Sequence, residues 1–139
     1  MNRKFFIANT AIALILASTT TFAGGHSKAA VKASDQDVSA GTVTATEVAA
    51  DANGWLVVHR TDGSKPGPVV GHAPIKTGAN ADVSAILTEP VKKGDLLMLM
   101  VHGEAGGKKT GIFEYSLGAK EDGPVKPDGK LVMTIIEAQ

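Results

Sequence analysis

The sequence predicts an all-β fold, a Greek-key immunoglobulin-like sandwich of about seven strands. Short runs rich in Val, Thr and Ile recur, with turn residues between them roughly every 8–15 positions. From Val38 onward, no stretch shows a helical period of useful length. A small closed barrel is the alternative, because a barrel produces the same alternation of apolar and polar positions.

The chain is organised around one apolar run, Leu96–Val101, which has turn residues on both sides. Successive side chains of a strand point to opposite faces, and here both sets are largely apolar. One set is Leu97, Leu99 and Val101, and the other is Met98, Met100 and His102. This pattern is typical of a central strand covered on both faces, and the lack of a helical start signal favours it over a buried helix. Two packed sheets cover only one face of each strand, so we expect part of the second set under loops or at a partner surface.

The other predicted strands are shorter, and turn residues separate them. They are Thr42–Val48, Trp55–Arg60, Val69–Ala73, Asp82–Leu87, Gly111–Tyr115 and Leu131–Ile136. Gly111–Tyr115 is expected to pair with the central run, and the step from Asn53 to Gly54 is of the kind that closes a tight hairpin. Ala30–Ala33 either adds an edge strand or belongs to a flexible leader.

The amino terminus predicts export. Residues 1–23 combine a positively charged start, an apolar stretch and small residues before Gly24, as in a secretory signal peptide. The apolar stretch is shorter than the roughly 20 residues that span a bilayer, so we expect cleavage and no membrane span in the mature chain. The predicted organisation is a signal peptide (1–23), a flexible leader (24–36) and a β-sandwich domain (37–139), located in the periplasm or secreted.

Composition excludes several classes of function. A formal net charge of zero provides no basic surface for nucleic acid. The chain has no cysteine, which excludes a thiol nucleophile, disulfides and any cysteine-ligated metal site, including blue copper. An exported chain without disulfides depends on its hydrophobic core for stability.

The domain contains a set of short motifs. These are Gly54–His59, Val69–His72 with Gly78, Asp82–Val83, Leu87–Pro90, Met98–His102 followed by an acidic residue, Phe113, and Asp122–Val125. From roughly Val43 to Ile136, the chain resembles an uncharacterised domain family found in bacterial exported proteins and haloarchaeal surface proteins. It departs from that family after His102, where Gly103 and Glu104 stand in place of an early Asp. The resemblance implies an extracytoplasmic β-sandwich and no particular chemistry.

One candidate metal site consists of His102, Met100 and His59. Imidazole and thioether groups suit copper in both oxidation states without a thiolate. Met100 and His102 lie two positions apart on one face, and His59 is the expected third ligand from a neighbouring strand. His72 is a further imidazole elsewhere in the chain. The alternative interpretation is that the methionines fill the core and the histidines bond to carbonyl groups.

A second candidate copper site is the sequence Gly24-Gly25-His26, which would begin the mature chain if cleavage follows Ala23. The new amine, two amides and the imidazole of His26 form a known chelating arrangement for copper and nickel. The alternative is an incidental histidine in a disordered leader.

No enzymatic motif is present, and the chain is not expected to be an enzyme. Glu104 and Glu114 could form a carboxylate pair across the Gly-rich connection, but a solvated rim is the more common outcome for such residues. The sequence therefore favours a non-catalytic exported binding or structural module, whose partner is an unknown protein or small ligand. The alternative is a periplasmic copper-binding accessory protein.

Overall fold

The structure is a computed structural model, and it describes residues 28–139. The predicted signal peptide and the Gly24-Gly25-His26 sequence lie outside the described residues. Seven strands and one short 3-10 turn, Pro127–Gly129, make up the regular structure of the described part. The strands are β1 (Ala30–Lys32), β2 (Thr42–Ala50), β3 (Gly54–Thr61), β4 (Pro66–Ile75), β5 (Gly78–Leu87), β6 (Leu96–Gly103) and β7 (Met133–Glu137). Within residues 28–139, no helix has the length and apolarity needed to cross a membrane.

All neighbouring strands are antiparallel, in the order β1-β2-β5-β4-β3-β6-β7. The four strands β2-β5-β4-β3 form a Greek key, because β3, β4 and β5 follow one another and β2 lies beside β5. The predicted all-β class, Greek-key connection and seven strands are confirmed. Ala30–Lys32 forms the edge strand that was one of the two expectations for this segment.

The pairing between β4 and β5 is short. These strands pair only through Gly71 with Leu87 and His72 with Ile86, and they separate toward the turn that joins them. The sheet is thereby divided into a first wall, β1-β2-β5, and a second wall, β4-β3-β6-β7. At the opposite edge, Gln36 forms a parallel bridge with Ala138, and the Gln139 amide donates to the Gln36 carbonyl at 2.9 Å. The two layers are therefore halves of one nearly closed sheet, an arrangement between a sandwich and a barrel.

The hydrophobic core lies between the two walls. In β2, Val43 and Ala45 point inward and are fully buried, whereas Thr42 and Thr44 point outward. Leu97, Leu99 and Val101 of β6 belong to the same core, as the alternation of the sequence predicts. The predicted central strand is confirmed, and β6 lies between β3 and β7.

The predicted strand Gly111–Tyr115 is wrong, because this segment is irregular and the second neighbour of β6 is β7. Gly111 has a φ of +79°, in the left-handed region, which ends any extended conformation there. The Glu114 amide donates to the carboxylate of Asp122 at 2.8 Å, so it is not available to a strand neighbour.

The hairpin predicted at Asn53–Gly54 is also wrong, because β2 and β3 are not neighbours in the sheet. The connection 51–53 crosses from one wall to the other. The Asn53 side chain accepts a hydrogen bond from the Thr77 amide at 2.9 Å, and the Thr77 hydroxyl donates to the Asp51 carbonyl at 3.0 Å. Glycine is required at position 54 for the close approach of a neighbouring strand and not for a turn. A Cβ at this position would overlap the carbonyl oxygen of His102 on β6.

We expect Gly54→Ala to lower the free energy of unfolding by about 2 kcal/mol or more, because β3 and β6 must separate to admit the methyl group. Gly103→Ala is the matched control, since Gly103 is the register partner of Gly54 and its Cβ would meet only Val125, at 4.0 Å. Urea unfolding of both variants measures the difference. Equal destabilisation by the two substitutions would contradict this account.

Candidate functional site

The second wall has a buried outer face. The register of β3 and β6 places three residue pairs on this face, namely Trp55 with His102, Val57 with Met100, and His59 with Met98. All six side chains are buried, yet none belongs to the core between the walls. The expectation that these positions lie under loops is therefore confirmed.

The cover is the connection between β6 and β7, and we call residues 104–125 the covering loop. Three backbone bonds attach it to its own base and to β6. The Asp122 amide donates to the Ala105 carbonyl, the Gly103 amide to Gly123, and the Val125 amide to Val101, at 2.8, 3.0 and 3.0 Å. These bonds hold the loop against the outer face.

Two aromatic residues of the covering loop lie directly on the histidines of the wall. Tyr115 meets the His102 ring edge to face at 4.5 Å between centroids, and the His59 ring at 5.9 Å. Phe113 stacks on His72 at 4.3 Å and contacts the edge of Trp55 at 5.5 Å. The covering loop thus seals His59 and His102 from solvent, whereas His72 lies at the exposed margin.

His59 and His102 meet beneath the loop. Their Nε2 atoms are 3.3 Å apart, and both side chains have no exposed surface. The Val57–Met100 pair lies between them in the register, so each imidazole extends along the wall toward the other. The two residues are 43 positions apart in the sequence, and the β3–β6 register brings them together.

The other nitrogen of each ring is held by a backbone carbonyl. The His59 Nδ1 lies 2.8 Å from the Gly67 oxygen, and the His102 Nδ1 lies 2.7 Å from the Asp122 oxygen. A carbonyl oxygen only accepts, so each Nδ1 carries the proton. Each Nε2 of the neutral rings is then an acceptor without a proton. The contact between the two rings therefore brings two lone pairs together. A cation between the two nitrogens removes this conflict.

Burial keeps both imidazoles neutral. The pKa of His102 is lowered to about 4. Loss of hydration is the main cause, the hydrogen bond to the Asp122 carbonyl opposes it, and the neighbouring His59 adds to it. Burial also lowers the pKa of His59, against the hydrogen bond to Gly67. At neutral pH, neither imidazole therefore carries a second proton, and the two Nε2 atoms do not share one.

Asp122 connects the covering loop to the histidine pair. Its carbonyl oxygen orients His102, one carboxylate oxygen accepts from the Glu114 amide, and the other, Oδ1, is buried without a hydrogen-bond partner. Asp122 itself adopts a left-handed conformation with φ of +44°, which Asp tolerates better than most residues. The sequence does not assign Asp122, Phe113 or Tyr115 to the site, although Phe113 and Asp122–Val125 are among the motifs that carry the family resemblance.

The structure brings some of the predicted site residues together and leaves others apart. His59 and His102 converge, and Met100 lies in the row between them, as a shared site requires. His72 stacks on Phe113 instead of joining the pair. The carboxylate of Glu114 accepts a hydrogen bond from the Lys109 amide at 3.0 Å within the covering loop.

We expect the metal-free protein to lose stability as the pH falls from about 6.5 to about 5. In this range His102 binds a proton in the unfolded chain, whereas in the folded chain its pKa is about 4 and it stays neutral. The loss from His102 alone is about 2 kcal/mol over this interval. Urea unfolding in the presence of a chelator measures it. In His102→Asn, whose amide can still donate to the Asp122 carbonyl, the pH dependence should become shallower, and an unchanged slope would contradict the assignment.

Comparison with known proteins identifies a family. No curated protein and no solved structure matches the chain. A family model described as a domain of unknown function (DUF7282) covers residues 29–139, which include all seven strands and the covering loop. The histidine pair and the residues that hold it lie within this range. The chain therefore belongs to the family of the domain of unknown function DUF7282.

Proposed function

We propose that the protein is a non-catalytic, exported metal-binding module whose site is the imidazole pair of His59 and His102. The observation that supports this is the pair of Nε2 lone pairs 3.3 Å apart, each ring being oriented by a carbonyl at its Nδ1. Metal-ligating histidines typically donate their second ring N–H in this way, which fixes the tautomer and the direction of the free nitrogen.

The separation of the two nitrogens suits a shared metal ion. Two metal–nitrogen bonds of about 2.0–2.1 Å that meet near the tetrahedral angle span roughly 3.3–3.4 Å. The contact of 3.3 Å therefore accommodates an ion at normal bond lengths with little movement of either ring.

The non-catalytic part of the proposal rests on access. A catalytic imidazole must reach a substrate, and both rings of the pair are fully buried under Tyr115 and the covering loop. A surface cavity of about 580 Å³ beside Trp55 contains none of the histidines in its lining. His102 lines a smaller cavity of about 250 Å³, but its side chain has no exposed surface. This arrangement suits retention of a small ion better than turnover of a substrate.

Thermal unfolding with and without metal ions tests the proposal. A ligand that binds only the native state at about 100 times its Kd stabilises it by about 2.7 kcal/mol, so Cu, Zn, Ni or Co ions should raise the Tm of the mature chain. The measurement is made in a His26→Ala background, which removes the amino-terminal chelating sequence.

His102→Asn should abolish the rise in Tm, because it removes the Nε2 ligand and keeps an amide donor toward Asp122. His72→Asn is the matched control, since His72 lies on the same wall outside the pair and should leave the rise intact. If no ion raises the Tm of the His26→Ala protein, or if His102→Asn responds as fully as the control, the metal site is disproved.

Export to the periplasm or the exterior is tested separately. We expect the protein recovered from the extracytoplasmic fraction to begin at Gly24, because the residues before it fit a signal peptidase site. Amino-terminal sequencing measures this, and deletion of residues 2–23 should retain the chain in the cytoplasm. Recovery of the intact amino terminus from the cytoplasm would contradict export.

A further inference from the structure

We infer that the metal ion is monovalent copper, held in a three-coordinate site by the Nε2 atoms of His59 and His102 and the thioether of Met100. This inference depends on the metal-binding function proposed above and specifies its ligand. It is carried by the set of donor groups at the site, by the burial of that site and by the charge around it.

The donor set is limited to two nitrogens and a sulfur. Within residues 28–139, no three side chains of His, Cys, Asp or Glu converge on one point. A third ligand must therefore be of another kind, and Met100 occupies the register position between the two histidines with no exposed surface. Thioether sulfur is a soft ligand that favours Cu(I), whereas zinc sites usually have four ligands of nitrogen, sulfur or carboxylate oxygen.

The geometry agrees with three ligands better than with two. A linear site with two bonds of about 2.0 Å would separate the nitrogens by roughly 4 Å, whereas a trigonal site separates them by roughly 3.5 Å. The observed 3.3 Å is well below the linear value and lies close to the values for bent sites, so the ion needs at least one ligand besides the two nitrogens. Met100 lies in the row between the histidines in the β3–β6 register, which makes its sulfur the candidate for the third ligand.

Burial and charge favour a monovalent ion. The cost of removing an ion from water rises steeply with its charge, and both imidazoles are fully buried. One buried carboxylate, that of Asp122, belongs to the residue that orients His102, and its Oδ1 has no hydrogen-bond partner. Asp122 is the one buried acidic residue of the described part, so a divalent ion would carry more uncompensated charge in this site than Cu(I).

The aromatic residues of the covering loop also favour Cu(I) over Cu(II). Cu(II) prefers a tetragonal set of nitrogen and oxygen ligands that often includes water. Tyr115 packs on both imidazoles, and Phe113 lies beside His102 at 6.2 Å between centroids. The wall opposite them is formed by Val57 and Met100, which present no nitrogen or oxygen ligand.

The test is an anaerobic competition titration of the His26→Ala protein against a chromophoric Cu(I) chelator, with a parallel titration of Zn(II). Met100→Leu preserves volume and hydrophobicity, so it should fold and should weaken Cu(I) binding by about tenfold or more. Met98→Leu is the matched control, because Met98 lies on the same strand and face but is the register partner of His59, outside the row between the two histidines. It should change Cu(I) affinity by less than about threefold.

X-ray absorption of the Cu(I) form should show two nitrogen ligands and one sulfur ligand, and the sulfur should disappear in Met100→Leu. Zn(II) binding tighter than Cu(I), or equal Cu(I) affinity in wild type and Met100→Leu, would overturn the inference and leave the metal-binding function standing. Failure of every ion to bind would overturn both, and the thermal measurements above identify that outcome independently.

Discussion

The burial of β6 on both faces is the constraint on which the rest of the structure depends. One face of the strand completes the core between the two walls, and the other carries two methionines and a histidine that also need cover. A two-layer fold provides only the first cover. The protein meets the second requirement with the covering loop, whose aromatic side chains take the place of a third layer. Two glycines of that loop permit its own close packing, because a Cβ at Gly107 would overlap the Glu114 carboxylate and one at Gly106 would press on the Lys120 carbonyl.

Some polar groups in this second buried layer are compensated by hydrogen-bond partners within the chain, and others are not. Each histidine donates its Nδ1 proton to a carbonyl at 2.7 or 2.8 Å, so the cost of burying the ring is largely repaid. The exceptions are the two Nε2 lone pairs, the Oδ1 of Asp122 and the indole nitrogen of Trp55. Unsatisfied groups concentrated in one place, in an otherwise well-bonded protein, mark a position whose full set of interactions includes something besides the chain itself.

Much of the fold follows from local sequence, whereas the site follows from long-range register. The apolar residues on both faces of Leu96–Val101 are enough to predict a doubly buried strand, and the repeated turn residues are enough to predict six of the seven strands. The residues Gly111–Tyr115 have the composition of a strand, yet the Asp122 carboxylate binds the Glu114 amide and the segment becomes part of the loop. That competition depends on a residue eight positions away and leaves no periodic signal.

The histidines illustrate the same limit. Their residue types predict metal ligation, and adjacency of Met100 and His102 follows from strand geometry alone. The meeting of His59 with His102 requires the pairing of β3 with β6, which a sequence suggests only after the strand order is known. Gly54 was noticed for a turn and is instead required because a β6 carbonyl approaches it closely. In both cases, the missing information was the identity of the neighbouring strand.

The sparse pairing of β4 with β5 also bears on motion. Two residue pairs join the walls at this seam, whereas the strands within each wall are paired along most of their lengths. Every group that holds the histidine pair, including Gly67 of β4 and Asp122 of the loop, belongs to the second wall or to its cover. Breathing of the domain at the seam would therefore leave the imidazoles at a constant separation, so slow amide exchange near them can coexist with rapid exchange along the free edges of β4 and β5.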